Sequence, residues 1–143
     1  ADDVLPENYI QEMKIALSSK SCDVAYPSVM LWSRWGNEQP LDNGWYEPDD
    51  KITLKEMKKM NQVVVTSMMK RKVYEIVGDF DRKLEIFEDY DYWIRALIKK
   101  FRFRKANTFL KYRQRTQGRN QAKQELKVKI AGEITEKYKN YLK

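Results

Sequence analysis

The segment Phe87-Glu88-Asp89-Tyr90-Asp91-Tyr92-Trp93-Ile94-Arg95 constrains this chain more than any other. Three carboxylates stand among aromatic side chains, directly ahead of the apolar residues Ile94, Ala96, Leu97 and Ile98. Acids gather where a helix begins, because unpaired amides and the positive dipole end favour negative charge. The pattern therefore predicts a helix over residues 88–101, with Glu88 or Asp89 as its cap. A cap does not require further aromatics and another acid on the same first turn. Carboxylates held beside aromatic walls suit a site that binds a polyhydroxylated ligand and removes a proton from it.

Other periodicities place elements around this helix. Pro6 suits a first helical position, and Ile10, Met13 and Leu17 mark one face of a helix ending near Ser18-Ser19. Val24, Tyr26, Ser28, Met30 and Trp32 alternate as in a strand, with Pro27 marking an edge or a bulge. Gly36, Pro40, Gly44 and Pro48 make residues 34–50 a loop, and its aromatics Trp35, Trp45 and Tyr46 suit stacking against sugar rings as well as packing on the body. Thr53 with Glu56 predicts a capped short helix to Met60. Asn61 to Met69 reads as a Val-rich buried strand, and Val73 to Val77 as a short helix closed by Gly78. Arg102 to Tyr112 alternates as an edge strand. Ala122, Leu126, Ile130, Ile134, Tyr138 and Leu142 recur every four residues in a helix over about 120–142, with its stripe packed on the body.

The 143 residues are one ordinary domain by length, and 42% apolar content suffices for a core. No apolar run approaches the ~20 residues of a membrane span, and nothing resembles a secretory signal. With no histidine and Cys22 alone, a zinc site, an internal disulfide and a histidine-based triad are excluded. Any metal here is hard and oxygen-bound, such as magnesium or manganese. The net charge of +7 is unevenly placed: residues 95–143 carry 16 basic and 3 acidic side chains, a net of +13. Such a tail faces water, an anionic membrane surface, a nucleic acid or substrate phosphates.

Val73-Tyr74-Glu75-Ile76-Val77-Gly78-Asp79-Phe80-Asp81 precedes the acidic segment, and Phe109-Leu110-Lys111-Tyr112-Arg113 follows it. Together these resemble the second half of a family 2 glycosyltransferase, where R-x-x-x-E-x-x-G-G-F-D-E leads into E-D-x-D-x-W-x-R and then a strand ending in Y-R. The opening Ala1-Asp2-Asp3-Val4-Leu5-Pro6 resembles the end of that family's D-x-D-D metal motif. The resemblance runs to about residue 115 and implies an α/β fold: part of a glycosyltransferase A-type domain over 1–117, its mixed sheet flanked by helices, with a basic amphipathic helix over 118–143. It also implies a fragment whose nucleotide-binding strands are missing and which is inactive alone.

The implied activity is inverting, metal-dependent transfer of a sugar from a nucleotide-sugar donor to a hydroxyl of a glycan or lipid-linked acceptor, in cell-surface glycan synthesis. Carried over residue by residue, Asp89 is the general base and Glu88 its acceptor-binding neighbour. Asp3, with Asp2 beside it, holds the divalent cation (manganese or magnesium). Trp35, Trp45, Arg113 and Arg115 are candidate substrate contacts, while Trp93 and Arg95 look structural. The expected location is cytoplasmic, peripheral at the inner face of a membrane through the basic carboxyl-terminal region. Asp79 stands where the family has a second glycine, and Gln114-Arg115 where some members have a histidine. The processive Q-x-x-R-W signature is absent, which favours single-sugar transfer. Two alternatives remain open: a basic nucleic-acid-binding module using Phe101, Phe103, Phe109 and Tyr112, or a non-catalytic scaffold of the same fold. On the transferase reading no nucleic acid is expected as a partner.

Overall fold

The computed structural model describes residues 3–34, 44–114 and 124–142. Along them run α1 (Tyr9–Ser18), β1 (Val24–Arg34), β2 (Trp45–Tyr46), α2 (Leu54–Lys59), β3 (Met68–Met69), α3 (Arg71–Val77), α4 (Glu88–Ile98), β4 (Phe103–Gln114) and α5 (Gln124–Lys137). The architecture is mixed α/β. The long strand β1 is central: β4 pairs with it in parallel from Val24↔Phe103 to Arg34↔Gln114. β3 pairs antiparallel at Val24 and Ala25, and β2 at Val29 and Met30. The parallel ladder skips Pro27, which has no N–H to donate, and sets Lys105 to Phe109 of β4 against Tyr26 to Ser28. Val4 forms an antiparallel bridge to Lys111 through two backbone bonds of 3.0 Å on β4.

Alternation along β1 sends Val24 and Tyr26 to one face and Ala25 to the other. On the first face they join a core with Trp93, Ile94 and Leu97 of α4, Met57 of α2, Ile130 and Ile134 of α5, and Tyr138 just after it. On the second, the small Ala25 and Ala106 form a shallow surface for Tyr9 and Met13 of α1. Tyr90, Trp93, Ile94 and Leu97 follow the i, i+3, i+4, i+7 spacing of an amphipathic helix, which is why α4 packs with this face inward. No helix among the described residues is long and apolar enough to cross a membrane.

Three sequence expectations are corrected. Residues 61–67 form no strand; only Met68–Met69 pair, because Tyr9 donates to the Thr66 carbonyl and Val65 lies exposed. Pro6 precedes α1 rather than beginning it, its carbonyl accepting from Tyr9 N at 3.0 Å. The buried face of that helix carries Tyr9 and Met13, and Ile10 is exposed. The strand over 24–32, the Thr53–Glu56 capping box and the packed stripe of α5 are observed as expected.

Candidate functional site

The sequence around Phe87 turns sharply into α4. Phe87 adopts φ 63°, a left-handed conformation that costs a bulky side chain ~1–2 kcal/mol. No side-chain oxygen caps this helix, so the acids of its first turn are left for other contacts. At its far end α4 closes in a Schellman motif: Lys100 N bonds to Leu97 O (2.8 Å) and Phe101 N to Ala96 O (3.1 Å). The chain then turns directly into β4. The amino end of α4 therefore points towards the carboxyl ends of the parallel strands β1 and β4, where open α/β sheets bind ligands.

Asp89 sits at that end, half-buried, in a cavity of about 370 Å³ that it shares with Asn61, Phe87, Glu88 and Lys127. The Asn61 side-chain amide donates to Asp89 Oδ2 (3.1 Å), and Tyr90 N donates to Asp89 Oδ1 (2.8 Å). Asn61 Oδ1 in turn accepts from Val63 N (3.1 Å), which fixes the amide's orientation. Burial raises the Asp89 pKa and the neighbouring Glu88 adds to the rise, while the Tyr90 N–H and Asn61 oppose it. The result is a carboxylate oriented by two donors and more basic than an ordinary aspartate.

Asn61's neighbour Gln62 ties this cavity to a second one. Gln62 Oε1 accepts from Asp49 N (3.0 Å) and its Nε2 donates to Asp49 Oδ2 (3.1 Å). The segment so held carries Glu47, which lines an open groove of about 550 Å³ with Trp45, Lys105 and Phe109. Trp45 is 56% exposed and meets Phe109 edge to face at 5.4 Å. Glu47 accepts from Ser28 Oγ (2.8 Å) and pairs with Lys105 (2.5 Å).

Asp3 stands beside the Val4–Lys111 bridge, beyond the outer edge of β4, and its charge helps raise the pKa of Tyr9, chiefly raised by burial. Asp3 thus enters from the β4 edge ahead of α1, whose buried side chains lie on the face of the sheet opposite α4, and it does not line the Asp89 cavity. Among the described residues no group of three or more His, Cys, Asp or Glu side chains converges on a metal position. Asp2, Trp35 and Arg115 lie outside the described residues; Arg113 is paired through its backbone with Ser33, and its side chain lies outside them. Asp79, the departure from the family pattern, is not in the left-handed region: Gly78 takes the positive φ of 81° alone, and Asp79 accepts from Tyr74 Oη (2.6 Å).

Sequence reasoning passed over the third acid. Asp91 is 0% exposed and accepts from Arg95 Nε (2.9 Å), Lys137 Nζ (2.8 Å) and Tyr138 Oη (2.7 Å). Arg95 also donates to the Val77 and Asp79 carbonyls. One buried carboxylate therefore binds α4 to α5 and to the turn after α3. The i, i+4 spacing of Asp91 and Arg95 was the available signal; Asn61 had none. Neither the models of known protein families nor the curated proteins match this chain.

Proposed function

We propose that this chain is the acceptor-side half of an inverting, metal-dependent sugar transferase, a partial glycosyltransferase A-type fold that moves a sugar from a nucleotide-sugar donor to a hydroxyl of a cell-surface glycan or its lipid-linked precursor. The observation that carries this reading is Asp89: a carboxylate made more basic by burial, held by Asn61 and Tyr90 N, in a cavity at the amino end of α4. A hydroxyl is too weak an acid to ionise at neutral pH, so a positioned base takes its proton as the bond forms. The acceptor oxygen attacks the anomeric carbon as the bond to the nucleoside diphosphate breaks on the opposite face. The proton passes to Asp89, and the bonding pair leaves with the diphosphate.

Glu88 lines the same cavity and receives acceptor hydroxyls. Trp45 offers an exposed ring to the C–H face of a sugar, and Gln62 and Asn61 hold its groove in register with Asp89. Asp3 fits magnesium by donor type, since that ion is commonly held by one or two carboxylates plus substrate phosphates. Bound there, a divalent cation would offset the charge gained by the leaving diphosphate.

The test uses the protein together with a donor-binding half. Asp89→Asn keeps size and much of the hydrogen bonding, so nucleotide-sugar affinity should survive while turnover falls about 10²–10⁴-fold. Near wild-type turnover would return Asp89 to a helix-end residue. Steeply salt-dependent oligonucleotide binding in place of transfer would favour the nucleic-acid module.

A further inference from the structure

A cleft of about 440 Å³ lies at the other end of α4. Lys51 and Lys55 line it from around the start of α2, and Arg102 and Arg104 from the start of β4, with their guanidinium groups directed to Asp23 and to the Ser21 carbonyl. Leu97 and Phe101 are among its apolar walls, and among the described residues no acidic side chain lines it. Nearby acids are already engaged. Asp23 is shared by Lys72 (2.6 Å) and Arg102 (2.9 Å), and Glu47 and Asp50 are held by Lys105. Glu56 turns back to the Thr53 N–H in its capping box. Among the described residues Arg104 donates to a neutral carbonyl, that of Ser21, at 3.4 Å. The cleft thus keeps surplus positive charge above an apolar floor.

We infer that this cleft seats the phosphate of an anionic lipid headgroup, so that the protein docks on a membrane surface through this end. Lys51 and Lys55 suit a phosphate, each ammonium supplying three donors and a mobile charge, while Arg102 and Arg104 add positive field with their guanidinium groups turned to Asp23 and the Ser21 carbonyl. The apolar walls suit the glycerol and upper acyl region that accompanies such a phosphate. Lys99 and Lys100, both exposed on the adjoining turn, continue the charge beyond the cleft. A cationic face of that breadth fits many headgroups in a surface better than one soluble phosphate. The inference does not depend on the transferase reading. Leu97 of the cleft lies about 12 Å from Asp89 along the α4 axis, so the cleft and the Asp89 cavity are separate places on the molecule.

The experiment is co-sedimentation with vesicles of phosphatidylcholine alone or with one-third phosphatidylglycerol. The protein should bind only the anionic vesicles and be released by salt. Lys51→Ala/Lys55→Ala should lower partitioning about thirty-fold, the combined effect of two membrane-proximal lysines, with an unchanged unfolding midpoint because both side chains are exposed. The control Lys129→Ala/Lys139→Ala on and just after α5, whose lysines already pair with Glu133 and Glu136, should change it less than about three-fold. Equal partitioning by the cleft variant, or a larger loss in the control, would overturn the assignment. Failure to bind anionic vesicles while phenyl phosphate binds the wild type, and not the cleft variant, would replace the lipid with a soluble phosphate ester.

Discussion

Replacing Asp91 by asparagine tests how α5 is attached, and the structure sets the size of the effect. The carboxylate is fully buried and accepts from three donors at 2.7–2.9 Å. Asparagine keeps one acceptor oxygen for Tyr138 and Lys137, which share Oδ1, but presents an NH₂ to Arg95 and removes the charge that holds Lys137. Lys137 has a side chain 46% exposed and can turn to water, so its pairing is worth no more than ~1 kcal/mol. Arg95 retains its two carbonyls and loses a similar amount. Weakening the charge-assisted bond from Tyr138 adds ~1 kcal/mol. The relieved desolvation of a buried carboxylate offsets part of this, leaving a loss of about 2 kcal/mol, or roughly 6 °C in Tm for a domain of this size. Urea unfolding followed by tryptophan fluorescence, with Lys137→Met as the second side of a double-mutant cycle, measures it. A loss below about 0.5 kcal/mol, or additivity within about 0.3 kcal/mol, would refute the claim that Asp91 couples the two helices.

Asp89→Asn should stabilise the protein at pH 7. Because the folded-state pKa is raised, the carboxyl's favourable contribution exists below its ordinary value of 3.8 and is lost as pH rises through the folded value; the gain should vanish in acid urea titrations. Asp23 has the opposite sign. Burial pushes its pKa up, but bonds from Arg102 and Lys72 outweigh this and hold it well below 3.8, so its stabilisation is present above that value and lost in acid; Asp23→Asn should flatten the acid limb of the same titration. Gly78→Ala should cost about 1–3 kcal/mol in urea although nothing lies within 4 Å of the added Cβ, because the strain is that of φ 81° alone. Lys100→Gly, at φ 63°, should instead stabilise by about 0.5–1 kcal/mol in the same assay. Buried Cys22, its thiol pKa raised chiefly by burial, should react with a disulfide reagent at pH 8 only after urea unfolds the chain.

Local chemistry made much of this molecule legible in advance. The Thr53–Glu56 pair satisfies amides within one turn, so its capping box was readable from spacing alone. The four-residue stripe Ile130, Ile134, Tyr138 and Leu142 has only one face to bury, and it is buried. Pro27 could donate no ladder bond, and the ladder skips it. Residues 61–67 misled because a run of valines has strand propensity whatever its neighbours, and strand formation needs a partner edge. The edge of β1 is occupied instead by Met68–Met69 and by Trp45–Tyr46.

The candidate site divides along the same line. The sequence by itself determined that acids and aromatics would share the first turn of α4, that no histidine chemistry was available, and that positive charge would gather after residue 95. These are properties of composition and short spacing, and no distant contact alters them. Which acid would do what was decided only by tertiary structure. Asp89 and Asp91 are two residues apart on one helix, about 200° around its axis. One faces Asn61 and a cavity, the other Tyr138 and Lys137 in the core. Their partners lie 28, 46 and 47 residues away, a separation over which sequence periodicity carries no information and only packing sets the distance.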